Sequence, residues 1–193
     1  MTIETIAVIG AGELGREIAL LVLRGGYRVI LEDVSETNLE KAIVAFRENL
    51  SEDALSGCID AESCELSLRR LTIARRVEDA VREADFIIET VADDLEMKLE
   101  LFAIFDKFAR PGAILASTTQ SLSIDDLADM TFSAERCLGV RFARGAENDR
   151  RVELVHGRAT SGQTIEACRE IARRMDLRVI ELRDEQAPSA ATL

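Results

Sequence analysis

Apolar residues along this chain switch repeatedly between two spacings. Short runs of adjacent, often β-branched residues read as buried strands, and three- and four-residue repeats read as helix faces. Thr5-Ile6-Ala7-Val8-Ile9 is the first run, and it ends in glycine. Residues 13–23 follow with helical spacing and stop at Gly25-Gly26, a helix C-cap signal. Arg28-Val29-Ile30-Leu31 is a second strand, and Ser35 opens a helix to about Leu50 with acids in its first turn. The stretch 51–70 is polar and only partly helical in pattern. The alternation then resumes with a strand at 71–74, a short helix at 77–83 and a strand at 86–89. Leu95, Leu99, Phe102, Phe105 and Phe108 make one apolar helix face that stops at Pro111-Gly112. Residues 114–117 are a fifth strand, and Ser123 with Asp126 has the spacing of a capping box. Strands at 138–142 and 152–155, a helix at 161–175 and a strand at 179–182 complete the order.

Strands alternating with helices imply right-handed βαβ units, hence a doubly wound, mostly parallel sheet with helices on both faces, an α/β Rossmann-type fold. The expected organisation is one domain over residues 1–184, with a helical insert at about 36–70 and a loose polar tail at 185–193.

Composition narrows the function. The 193 residues are 47% apolar and 31% charged, enough for a sizeable core under a solvated surface. Lys+Arg is 24 against Asp+Glu 36, a net charge of -12, which argues against a nucleic-acid footprint or attachment to an anionic membrane. The apolar run at 18–23 is far short of a membrane span, and Met1-Thr2-Ile3-Glu4 is no secretory signal. Cys58, Cys64, Cys137 and Cys168 form no Cys-x-x-Cys pair and His156 is the only histidine, so no metal site is expected. Free thiols in a reducing cytoplasm are the reading taken.

The sharpest motif is Gly10-Ala11-Gly12-Glu13-Leu14-Gly15, a G-x-G-x-x-G between a buried strand and a helix. In such a loop Gly10 permits the turn, Gly12 admits a pyrophosphate to the backbone, and Gly15 lets helix and strand pack closely. The helix N-terminus then offers unpaired N–H groups to the anion. Asp33 lies 18 residues past Gly15, near the spacing of a carboxylate that binds an adenosine ribose, and its charge favours NAD over NADP. Glu13 puts a second negative charge beside the pyrophosphate. The competing reading is a glycine-rich turn that binds nothing.

Several stretches in order resemble the NAD-binding N-terminal domain of 3-hydroxyacyl-CoA dehydrogenases, oxidoreductases of fatty-acid metabolism. They are the 10–15 loop, the helical insert, residues 88–98 (IETVADDLEMK), 114–124 (ILASTTQSLSI) and 152–155 (VELV). The resemblance implies that Asp93, Lys98 and Thr118 join the 10–15 loop and Asp33 in holding NAD. Taken without it, Lys98 reads equally as a solvated helix lysine.

The catalytic positions depart from the family. Its Ser-Asn-Thr-Ser-Ser-Leu has Thr118 for asparagine and Gln120 for the substrate-touching serine, while Ser121 survives. Its Gly-x-His-Phe-Phe-Asn-Pro has Arg141 for the histidine and Arg144 for the asparagine, and the partner glutamate remains as Glu153. A general base needs a lone pair and a pKa near the working pH, whereas arginine stays protonated. Arg141 is therefore expected to act as an electrophile or to pair with Glu153 across neighbouring strands. His156, on the other strand face, reads as an ordinary strand-end histidine. Between Arg136 and Arg158 six arginines face three acids, a local excess of +3, either an anion site for a carboxylate or CoA phosphate or a solvated loop. The family's all-helical second domain has no counterpart here. Three readings stay open: an oxidoreductase on an acyl-CoA or carboxylate substrate using Arg141, Gln120, Ser121 and Glu153; half of a split enzyme completed by a separate helical chain; or a non-catalytic NAD(H)-binding or assembly module, with a homo-oligomer or a separate helical chain as the expected partner.

Overall fold

A computed structural model describes residues 2–144 and 150–184, apart from the side chains of residues 143 and 144. The tail expected at 185–193, the acids Glu147 and Asp149, and the Arg144 side chain lie outside the described residues. In chain order the elements are β1 (Thr5–Ile9), α1 (Glu13–Arg24), β2 (Arg28–Glu32), α2 (Glu36–Leu55), α3 (Ala61–Arg69), β3 (Leu71–Ala74), α4 (Val77–Arg82) and β4 (Phe86–Glu89). Then come α5 (Leu95–Phe108), β5 (Ile114–Ser117), α6 (Ile124–Ala128), β6 (Cys137–Arg144), β7 (Arg150–His156), α7 (Gly162–Arg174) and β8 (Arg178–Arg183). The poorly legible stretch 51–70 resolves into the end of α2, a turn at Gly57 (φ 76°), and α3. Its pattern is faint because α2 buries only Leu39, Ala42, Phe46 and Leu50 over 20 residues.

The eight strands form one sheet in the order β3-β2-β1-β4-β5-β6-β7-β8. All neighbours are parallel except β6 and β7, which pair antiparallel. Alternate residues of β1 feed opposite faces, as period-two side chains must. Ile6 and Val8 pack with Ile18 and Leu23 of α1, Phe46 of α2 and Ile171 of α7. Ala7 and Ile9 pack with Val81 of α4, Phe102 and Phe105 of α5, and Leu127 of α6. Both faces are therefore covered, which is why β1, β4 and β5 are buried along their whole length. Each large side chain so buried contributes about 1.5–3 kcal/mol.

Strand order reverses between β1 and β4, which opens a crevice at the carboxyl ends of these strands. Most helices are fixed by side-chain caps: Ser35, Asp60, Asp94, Ser123 and Ser161 each accept a backbone N–H at the start of a helix. The capping box expected at Ser123 closes differently. Ser123 Oγ accepts the N–H groups of Asp125 and Asp126, but the carboxylate that takes Ser123 Oγ (2.8 Å) and Ile124 N–H (2.8 Å) is that of Asp184, beyond β8. A residue 61 positions away thus does the work assigned locally. α1 alone among the long helices opening on the crevice has no side-chain cap.

Candidate cofactor and active site

Residues 10–15 run from the end of β1 into α1. Gly10 adopts φ +104°, in the left-handed region that glycine tolerates. A Cβ on Gly15 would sit 1.9 Å from Gly10 O, so the helix can start this close to the strand only with glycine there. Thr90, beyond β4, locks the same spot: its Oγ1 lies 2.9 Å from both Ile9 O and Gly10 O. A Cβ on Gly12, by contrast, meets nothing within 4 Å. Gly12 caps α1 without a side-chain bond, and the first-turn amides of Glu13, Leu14 and Gly15 find no partner among the described residues. Open space facing unpaired N–H groups at a helix N-terminus suits a pyrophosphate. The Glu13 side chain is exposed and lines the cavity between α1 and α2.

Asp33 closes the other side of the loop. Its Oδ2 accepts Ala11 N–H (2.7 Å) and Asn38 Nδ2 (3.2 Å), and its Oδ1 accepts Ser35 N–H (2.7 Å). A carboxylate offers about four acceptor positions, so one remains for a ribose hydroxyl. The preceding residue, Glu32, ends β2. It is 2% exposed, its carbonyl accepts Gly10 N–H (2.8 Å), and its Oε1 has no hydrogen-bond partner. Burial, then the charges of Asp33 and Glu78, raise its carboxyl pKa to about 7.

Lys98 departs from the solvated-lysine reading. It is 0% exposed, and Nζ donates to Glu89 Oε1 and Oε2 (2.7 Å each) and Val91 O (3.3 Å). Those bonds use its three donors, so Lys98 is not a solvated lysine. Its partner Glu89, also fully buried, further accepts Ser117 Oγ (2.7 Å) and Val91 N–H (2.6 Å). An acid in an otherwise apolar strand, nine residues before a lysine, was the available signal for this pair.

From Lys98 the network continues outward. Nζ is 3.7 Å from Asp93 Oδ1, and Asp93 Oδ2 accepts Gln120 N–H, Ser121 N–H and Ser121 Oγ at 3.1, 3.2 and 2.9 Å. Burial pushes the Asp93 carboxyl up, but the Thr119 and Ser121 hydroxyls, Gln120 N–H and Lys98 outweigh it and hold the pKa below the ordinary value. Asp93 thus clamps the loop after β5. Thr118 is buried there with its N–H on Glu89 O (3.0 Å), while Gln120 and Ser121 are exposed and Gln120 Nε2 folds onto Thr118 O (3.3 Å).

Arg141 and Glu153 stand directly opposite each other in the β6–β7 register, on one face of the sheet. The ion pair expected between them is not formed: among the described residues no salt bridge within 4 Å joins them. Arg141 Nε instead donates to Thr119 O at 2.8 Å. The last β5–β6 rung pairs Ser117 with Gly139, so Arg141 overhangs the end of β5 and meets the loop beyond it. Arg141 is 5% exposed. His156 lies on the opposite face of β7, in a small cleft with Asp125, Arg158, Arg183 and Asp184, remote from this group. Of the local excess of arginines, Arg136 bonds Ala113 O and pairs with Glu135, and Arg158 pairs with Asp125. Arg150 and Arg151 line a cavity of about 340 Å³ between α1 and α2, beside Phe142, and Arg151 Nε is buried there without a partner.

No group of metal-ligating side chains occurs among the described residues, and none of their helices is long and apolar enough to cross a membrane. Burial raises the Cys137 thiol to about 11 and lifts Cys168 as well, so neither supplies a thiolate.

Known proteins share this arrangement. Residues 5–185 match the family model described as 3-hydroxyacyl-CoA dehydrogenase, NAD binding domain. A probable 3-hydroxybutyryl-CoA dehydrogenase of Bacillus subtilis is 31% identical over 95% of this chain and 64% of its own length. The 3-hydroxyadipyl-CoA dehydrogenase of Escherichia coli is 33% identical over 89% of this chain and 36% of its own. The crystal structure of an Escherichia coli K12 3-hydroxybutyryl-CoA dehydrogenase superposes with a TM-score of 0.89 at 31% identity, covering 95% of this chain and 39% of that one. The chain therefore spans less than two thirds of the length of each of these relatives. The family match and these relatives show that the chain belongs to the 3-hydroxyacyl-CoA dehydrogenase family, as an NAD-binding Rossmann domain.

Proposed function

We propose that this chain seats NAD(H) at the 10–15 loop and Asp33 and does not itself carry out base-catalysed oxidation of a 3-hydroxyl. The observation that carries the reading is Arg141. Where the family resemblance implies a histidine, a buried guanidinium faces Glu153 and is tied by Nε to Thr119 O. It has no lone pair to take a proton. Gln120 and Ser121 stand at the rim of the same group, with Ser121 Oγ committed to Asp93. When bound, the dinucleotide supplies hydride donor or acceptor chemistry. The residues of this chain hold it, through the α1 amides and Asp33, and keep the loop after β5 in place through Asp93.

NADH titration followed by nicotinamide fluorescence, with acetoacetyl-CoA then added, tests the reading. Saturable binding without loss of nicotinamide absorbance is expected. Steady turnover by the chain alone would overturn the non-catalytic part, and absence of binding the cofactor part.

A second reading is a split dehydrogenase, in which a separate helical chain or a second copy completes the site for an acyl-CoA or carboxylate substrate. The cavity lined by Glu13, Glu17, Asn49, Phe142, Arg150 and Arg151 favours it, because charges of both signs around an apolar wall suit an amphipathic helix of a partner. Turnover that appears only when a helical partner is added would select this reading.

A further inference from the structure

Two carboxyl groups are buried among the described residues, and they are treated oppositely. Glu89 is saturated by Lys98, Ser117 and Val91 N–H. Glu32 has an Oε1 with no hydrogen-bond partner, and no cation lies within 4 Å of it among the described residues. Yet Glu32 belongs to the cofactor cradle, since its carbonyl receives the Gly10 N–H and the next residue, Asp33, receives the Ala11 N–H.

We propose that the Glu32 carboxyl takes up a proton when the dinucleotide seats, so that NAD(H) affinity is linked to pH through this residue. The inference rests on the cofactor reading above. Glu32 is a positioning residue here, acting through the loop its backbone holds. Its side chain lies between Ile9 on β1 and Ala74 on β3, both apolar, under α4. The charges that face it are negative: Asp33 beside it and Glu78 from the first turn of α4. The nearby cations are engaged elsewhere, Arg75 with Glu36 and Arg76 with Glu78, while Arg82 stacks over Phe108 and Asp79 is exposed. Burial and the two like charges already bring the group to about 7. A dinucleotide adds two phosphate charges one loop away and removes water from the crevice. Both effects disfavour the carboxylate further, so the complex binds the proton more tightly than the free protein.

The test is calorimetric titration of the full chain with NADH between pH 6.5 and 8.5, in pairs of buffers that differ in ionisation heat. Proton uptake above pH 7 is expected, with affinity falling about tenfold across the range. Glu32→Gln, and Glu32→Val should the amide fail to fold, are expected to bind without uptake and with a flat profile. Proton-neutral, pH-independent binding by the unmodified chain would overturn this inference alone, as would uptake that persists in either variant. Absence of NADH binding at every pH would overturn the cofactor reading, and this inference with it.

Discussion

Arg141 and Glu153 occupy one rung of the β6–β7 ladder, and the guanidinium nevertheless bonds the Thr119 carbonyl rather than the carboxylate opposite. A charge-assisted bond from β6 to the loop after β5 takes precedence over a cross-strand ion pair because β6 outruns β5 and leaves that loop within reach. Arg141 therefore ties the rim of the site together. The Asp93 clamp holds the same loop from the β4 side.

Removing that tie should loosen the rim. Arg141→Ala is expected to lower stability by about 1.5–3 kcal/mol, the usual range for a hydrogen bond to a charged group. It should also speed hydrogen exchange at the amides of Gln120 and Ser121. A variant with unaltered denaturant midpoint and exchange rates would contradict this role.

The buried Lys98–Glu89 pair predicts a strong asymmetry between single and double substitutions. Lys98→Met leaves Glu89 uncompensated in the interior and should cost about 3–5 kcal/mol. Lys98→Met combined with Glu89→Leu removes both charges and should recover most of that loss, because the desolvation penalty disappears with them. Urea denaturation of the unmodified chain, both single variants and the double variant measures the coupling, and strict additivity would show that the pair is not closed.

Two glycines of the loop separate folding from binding. Gly12→Ala adds a methyl into open space at an ordinary φ of -61°, so stability should change by less than ~1 kcal/mol while NADH binding is lost to the obstructed pyrophosphate seat. Gly15→Ala collides with Gly10 O and should destabilise the fold as well. Thermal melts beside NADH titrations distinguish the two. A Gly12→Ala variant that binds normally would move the pyrophosphate elsewhere.

Glu32 predicts a pH dependence of stability without any ligand. Its folded pKa of about 7 lies above its ordinary value of 4.5, so the native state binds the proton more tightly than the unfolded chain. Native stability is then highest below the unfolded pKa and falls as pH rises through about 4.5 to 7, by about 3 kcal/mol in all. Glu32→Gln should erase that slope, gaining stability over the unmodified chain at pH 8 relative to pH 5. Parallel slopes for the two proteins would show that the carboxyl titrates normally.

What the sequence alone determined is whatever depends on neighbours along the chain. Period-two and period-3.6 patterns placed every strand and most helices, because β1, β4 and β5 are apolar throughout most of their length and α5 repeats its phenylalanines. The Gly10–Gly15 loop was legible because its chemistry is confined to six consecutive residues. The tertiary structure alone decided which charges meet. It turned Lys98 inward onto Glu89, carried Asp184 back to cap α6, sent Arg141 past Glu153 to Thr119, and left Glu32 Oε1 buried without a hydrogen-bond partner. These outcomes depend on strand order, on how far β6 overruns β5, and on which face each side chain enters. A charged group in the interior takes whichever partner that geometry brings within hydrogen-bond reach, and distance along the chain does not enter the choice.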